Sequence, residues 1–134
     1  MSEFTISEIA RRVGLRPSAI RYYEQLGILP PALRRSGQRR YNDADLYKLT
    51  VVQRARQTGF TLDEIRKLFF GFRTGTPAAK RWRQMSRQKL AELDETVEKI
   101  NAMRDVLHRL ENCGCEALDE CGRKMIENEC VSLR

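Results

Sequence analysis

Histidine occurs once in these 134 residues, as His108, and no Ser, Cys or Lys stands in a recognisable constellation with a base. An enzyme built on a nucleophile and general base is therefore not expected. No apolar run approaches the ~18–20 residues of a membrane-spanning helix, so no membrane partner is expected. The opening Met-Ser-Glu-Phe-Thr-Ile-Ser-Glu lacks the basic and apolar regions of a secretory signal, which predicts a cytoplasmic, reducing location. Hydrophobic residues make up 41% and charged residues 32%. That balance is too apolar for a disordered chain and too polar for a membrane protein. The length suits about one domain with one modest core.

What is present is unevenly placed. Residues 1–75 hold 14 basic and 7 acidic side chains and residues 76–134 hold 11 of each, so the net charge of +7 belongs to the first half. A polyanion is its natural partner. The four cysteines, Cys113, Cys115, Cys121 and Cys130, all lie in the last 22 residues. In a reducing compartment such clustering favours metal or redox chemistry over structural disulfides.

Ile6, Ile9, Ala10 and Val13 place one apolar face on a short helix from Thr5 to Val13, capped by Thr5 or Ser7 and stopped by Gly14. Pro17 suits the first turn of a second helix running through Ile20 and Tyr23 to Gly27. Two such helices around a glycine turn make a helix-turn-helix. Arg16, Ser18, Arg21 and Tyr22 lie off the core stripe of the second. Pro30-Pro31 ends helical structure, and Arg34, Arg35, Arg39 and Arg40 around Ser36-Gly37 suggest a hairpin ending near Tyr41. A third helix is expected from Asp45 to Thr58, opened by Asn42 or Asp43, with Leu46, Leu49, Val52 and Ala55 or Val51 buried. Thr61 and Glu64 form a capping-box pattern for a fourth, Leu62 to Phe70.

Gly71 to Pro77 reads as a hinge. From Ala78 to Leu110 nothing breaks the chain, and Leu90, Leu93, Val97, Ile100, Met103, Leu107 and Leu110 recur at gaps of three and four. A stripe that long needs a partner helix, and a second copy, parallel or antiparallel, is the simplest supplier. The domains expected are therefore 1–75 for DNA binding, 76–111 for dimerisation and 112–134 as a cysteine-rich tail.

Arginines on a recognition helix and hairpin wing suit double-stranded DNA: the helix enters the major groove while wing arginines and tyrosine hydroxyls hold phosphates. The runs Ile6-Ser7-Glu8-Ile9-Ala10-Arg11-Arg12-Val13-Gly14-Leu15, Ile20-Arg21-Tyr22-Tyr23-Glu24-Gln25-Leu26-Gly27-Ile28-Leu29, Gly37-Gln38-Arg39-Arg40-Tyr41 and Gln57-Thr58-Gly59-Phe60-Thr61-Leu62-Asp63-Glu64-Ile65 resemble the MerR family of bacterial transcription regulators. The resemblance implies a mainly α fold: a winged helix-turn-helix, a long dimerisation helix in an antiparallel coiled coil, and a short effector loop. It further implies DNA contacts at Arg16, Ser18, Arg21, Tyr22, Arg34, Arg35, Gly37, Arg39, Arg40 and Tyr41. Its implied partners are a homodimer mate, RNA polymerase, and a promoter that is activated by bending and underwinding, so spacer deformability counts alongside base contacts.

The family's effector site lies beyond the long helix, where Cys113, Cys115 and Cys121 stand. Cys113 and Cys121, with seven residues between them, match the pair that bounds the metal loop in the family's copper-, zinc- and mercury-type sensors. Thiolates so placed suit a thiophilic ion: Cu(I), Zn, Cd, Pb or Hg. Cys115 would add a thiolate, and Cys130, on a short helix from about Arg123, is a candidate fourth ligand or a lid residue. From Glu111 onward, six acidic and three basic residues leave the tail net negative and hospitable to a cation. Family sensors of divalent metals carry a further cysteine near the start of the long helix, and monovalent sensors a serine; here that region reads Pro77-Ala78-Ala79. The redox-sensing SoxR branch binds a [2Fe–2S] cluster through C-x2-C-x-C-x5-C. Cys113, Cys115 and Cys121 match its last three ligands, and Leu110 stands at the first. A metal-responsive regulator is thus the first reading, with a cluster-based redox sensor or a metal-buffering protein as alternatives.

Overall fold

The computed structural model describes residues 3–129. They form β1 (Glu3–Phe4), α1 (Ile6–Val13), α2 (Pro17–Gln25), β2 (Leu33–Arg35), β3 (Gln38–Asn42), α3 (Asp43–Gln57), α4 (Leu62–Phe70), α5 (Ala78–Glu111) and α6 (Leu118–Ile126). Contacts divide the chain into two compact units, Met1–Met85 and Ser86–Arg134. No helix among the described residues is long and apolar enough to cross a membrane.

Local chemistry sets the helix ends of the first unit. Thr5 caps α1 by accepting from the Glu8 amide at 3.1 Å, while the Glu8 carboxylate accepts from the Thr5 amide at 3.2 Å. Gly14, at φ 80°, takes the left-handed turn that closes the helix at little steric expense and donates to the Ala10 carbonyl. The same reciprocal box opens α3 through Asn42 and Asp45, two residues earlier than the apolar pattern implied, and α4 through Thr61 and Glu64. Helix α2 starts on Pro17 as expected but ends at Gln25, short of Gly27.

The sheet is antiparallel in the order β1-β3-β2. β2 and β3 form the expected hairpin, with Arg34 opposite Arg39 and Arg35 opposite Gln38. Its two-residue loop places both Ser36 (φ 51°) and Gly37 (φ 78°) in positive φ, the handedness that matches strand twist. β1 was not expected: two residues are too few to show alternation, and Phe4 is placed by pairing with Tyr41.

One core fills the first unit, centred on Ile9, Ile20, Ile28, Leu49, Val52 and Ile65, each at most 1% exposed. Leu46 and Val51 flank it half-buried. The start of α5 belongs to this core through Met85 and through Trp82, whose ring meets Phe60 edge-on at 6.1 Å. Arg81 holds the junction. Its guanidinium donates to the carbonyls of Leu68, Phe69 and Thr76 at 3.1, 3.0 and 3.0 Å, the first two being acceptors that the end of α4 leaves open.

In the second unit, α5 continues to Glu111 and would measure roughly 50 Å end to end at 1.5 Å per residue. Leu90, Leu93, Val97, Ile100, Met103 and Leu107 are all exposed, between 48% and 63%. The short last helix begins at Leu118 and not near Arg123. Asp119 and Glu120 in its first turn complement the helix dipole and carry the start upstream of Gly122. Cys121 therefore sits on a helix instead of in a loop. Cys130 lies outside the described residues.

Candidate nucleic-acid interface and metal centre

Helix α2 separates its two jobs by periodicity. Ile20 and Tyr23 point into the core, while Ser18, Arg21, Tyr22 and Gln25, spaced by three, one and three, share one exposed face. Arg16 stands at the helix N-cap, also exposed. On the wing, Arg34 donates to the Gly37 carbonyl at 3.1 Å and bridges the turn. Arg35 pairs with Glu3 at 3.0 Å, and Arg40 donates to Gln38 at 3.3 Å. Arg34, Gly37, Arg39 and Arg40 line one cleft of about 410 Å³ with Thr5 and Ser7 at the start of α1. A basic wall beside a helix start suits a phosphate oxygen.

Tyr41 is placed differently from the expectation that it meets DNA. It is 2% exposed, and its hydroxyl donates to Glu24. Arg39 pairs with the same carboxylate at 3.2 Å. Burial, reinforced by that carboxylate, pushes the Tyr41 pKa well above the ordinary phenol value. Glu24 thus ties strand β3 of the wing to the recognition helix α2, and Tyr41 supports the wing from beneath. The sequence reading missed Glu24; the signal was a lone acid on α2, the only one between Glu8 and Asp43.

The cysteine tail assembles a second centre. Cys113 follows α5, Cys115 lies in the connection and Cys121 on α6. Their three sulfurs all lie within 4.8 Å of one another, with Cys113 and Cys121 at 3.8 Å. All three are partly buried. Hydrogen bonding to Cys115, then burial and contact with Cys113, push the Cys121 thiol up to about 12. Lys124, one turn on, pairs with Glu120 at 3.4 Å and lines a cleft of about 420 Å³ together with Cys113 and Cys115. His108, exposed and 3.5 Å from Glu111, stays out of the cluster.

Convergent sulfurs are soft donors, and the group fits a thiophilic metal ion. A [2Fe–2S] cluster takes four protein ligands. The described residues gather three, and Leu110 occupies the remaining position of that pattern.

A winged helix-turn-helix with a basic recognition face, followed by a long helix, defines a DNA-binding transcription regulator and not an enzyme. The chain belongs to the MerR family. The family profile described as MerR HTH family regulatory protein matches residues 4–70, and that described as MerR, DNA binding matches residues 46–110. The HTH-type transcriptional regulator CueR of Escherichia coli is 34% identical over 124 residues, covering 92% of this chain and 91% of the relative. Heavy metal-dependent transcription regulator 2 of Rhizobium meliloti is 33% identical over 118 residues, covering 87% and 80%. The crystal structure of PbrR691 from Ralstonia metallidurans in complex with lead(II) shares the fold with a TM-score of 0.69 at 24% identity, covering 89% of this chain and 94% of that one.

Proposed function

We propose that this regulator is switched by a thiophilic metal ion held on Cys113, Cys115 and Cys121. The observation that carries the reading is the convergence of the three sulfurs from α5's end, the connection and α6. A heavy metal-dependent relative and a lead-bound structural neighbour support it. Cu(I), Zn(II), Cd(II), Pb(II) and Hg(II) are the candidate ions. In this reading residues 1–75 are the DNA-binding head, 76–111 the dimerisation helix and 112–134 the effector tail.

The exposed stripe of α5 supports a homodimer through an antiparallel coiled coil. Arg16, Ser18, Arg21 and Tyr22 face the major groove, while Arg34, Arg35, Gly37, Arg39 and Arg40 hold phosphates. Metal binding fixes the end of α5 against α6 and biases a two-state arrangement of the heads. The bound promoter is bent and underwound and presented to RNA polymerase.

Duplex DNA selected by the purified protein from a random pool provides the test, with footprinting and in vitro transcription read against metal concentration. Cys113→Ser and Cys121→Ser should keep DNA binding and lose the metal response. A response that persists in both variants overturns the sensor. Arg39→Ala with Arg40→Ala should weaken binding to every duplex and flatten its salt dependence. Unchanged DNA affinity in that variant would favour a metal-buffering protein.

A further inference from the structure

The sensor proposed above holds its ion on three sulfurs; the geometry here points to where those ligands come from and how many the ion takes. We propose that the centre is a three-coordinate site completed within one protomer, with Cys115 as its third ligand. Its preferred ions are soft cations that accept three thiolates, Pb(II) and As(III) being the class, over ions that take two or four. The inference rests on the metal reading above and specifies its coordination number and its ligand source.

Distances carry it. On the scale of a zinc–sulfur bond of about 2.3 Å, a linear pair would hold its sulfurs about 4.6 Å apart and a trigonal trio about 4.0 Å apart, and a larger ion reaches the same spacing as the apex of a flattened pyramid. Cys113 and Cys121 are 3.8 Å apart, too close for a linear pair and within the range of a multi-thiolate site. Cys115 is already inside the same 4.8 Å group, so little rearrangement would complete the trio. Spacing of this size also suits four ligands at a tetrahedral centre. Among the described residues, however, no His, Asp or Glu joins the three sulfurs.

Connectivity carries the rest. The three cysteines lie within nine residues, Gly114 gives the intervening backbone freedom, and α6 returns Cys121 to the end of α5. No partner side chain is required to close the set. Three thiolates bring three negative charges, and the ammonium of Lys124 lines the same cleft as Cys113 and Cys115. Counting Glu120, which pairs with that ammonium at 3.4 Å, a trivalent ion leaves the assembly neutral and a divalent ion one charge negative, whereas a monovalent ion leaves it two charges negative.

The full chain is titrated with Pb(II) and, separately, Cu(I) under anaerobic conditions, read by near-ultraviolet thiolate-to-metal absorption and by X-ray absorption for the number of sulfurs. Three sulfurs per lead are expected. Losing a side chain that only orients a metal ligand weakens metal binding roughly 10–100-fold, so removing a ligand by Cys115→Ser should weaken Pb(II) by at least about a hundredfold. Cu(I), able to use two thiolates, should weaken by less than about tenfold. Cys130→Ser should leave the lead spectrum unchanged. An equimolar mixture of Cys113→Ser and Cys121→Ser chains, exchanged to allow mixed dimers, should bind no lead, because neither protomer owns a complete trio.

Pb(II) binding that survives Cys115→Ser but is abolished by Cys113→Ser and Cys121→Ser overturns the three-ligand site while leaving a metal sensor on Cys113 and Cys121 standing. Four sulfurs, loss on Cys130→Ser, or recovery in the mixture each overturn it too. Unaltered binding in all variants overturns both readings. Circular dichroism and DNA binding of each metal-free variant establish that it folds.

Discussion

The two units of this chain solve the burial problem in opposite ways. Every buried hydrophobic residue among those described lies at or before Met85. That first unit also carries the capping boxes of α1, α3 and α4. From Ser86 onward no described residue is buried, and the large apolar side chains of α5 stand open. The head is finished as a fold; the long helix is finished only when something covers its stripe. A buried core is complete within one chain, whereas in the proposed homodimer a stripe covered by a second copy would make the second unit's stability a property of protein concentration.

The sharpest way to break that contrast is a charge in the stripe. Burying an Ile is worth ~1.5–3 kcal/mol, and in a symmetric dimer each substitution counts twice. Ile100 is already about half covered, so the lost burial is about half that figure per chain, and each buried carboxylate adds several kcal/mol; Ile100→Asp should therefore weaken association by more than about 5 kcal/mol while leaving the head's own unfolding transition in place. Analytical ultracentrifugation at micromolar concentration should report a monomer. A dimer that tolerates the aspartate would mean that the stripe is not the seam.

Next in size is a cavity on the other side of the comparison. Leu49 is fully buried, and Leu49→Ala should lower the head's stability by ~2–5 kcal/mol in urea unfolding. Its effect should not depend on protein concentration, unlike that of Ile100→Asp. Equal concentration dependence for both would show that head and helix unfold as one.

Much of this arrangement is written locally and so was legible in the sequence. The Thr61–Glu64 box, the Ser36-Gly37 turn and the seven-residue stripe of α5 each involve neighbours within one element. The cysteine trio was legible for the same reason, since its members lie within nine residues of one another. What stayed hidden depends on distant partners. β1 exists because Phe4 finds Tyr41; nothing in the unbroken run after Pro77 connects Arg81 with the carbonyls of Leu68 and Phe69, 13 and 12 residues upstream. Tyr41 read as a DNA-facing hydroxyl because nothing in its own segment announces Glu24, 17 residues upstream.

That tyrosine gives a third prediction, internal to the head. Tyr41→Phe removes the donor facing a carboxylate that is only 11% exposed. Leaving such an acceptor short of a partner costs ~1–3 kcal/mol. The folded phenol titrates above its unfolded value of 10.0, being held neutral chiefly by burial. Its contribution is therefore complete below pH ~10 and lost as pH rises through the unfolded value toward the folded one. Alkaline unfolding of the parent should steepen beyond pH ~10, and the Phe variant should lack that component. Coincident alkaline curves would remove Tyr41 from the account.

The smallest effect tests whether the head's helix ends matter as much as its core. Glu8 is fully exposed, and its carboxylate is held below the usual range first by the Thr5 hydroxyl, then by the Thr5 amide. A lowered acid stabilises the fold above its unfolded pKa of 4.5, and that support disappears as pH falls through the lower folded value. Glu8→Gln keeps an acceptor for the Thr5 amide but loses the charge at the start of α1. The variant should be slightly less stable than the parent at pH 7, and the difference should vanish in acid below the folded value. Because α1 leads into the recognition helix across Gly14, the same variant should also loosen operator binding slightly at pH 7. A stability gap that stays constant from neutral pH into acid would assign the effect to packing instead of charge.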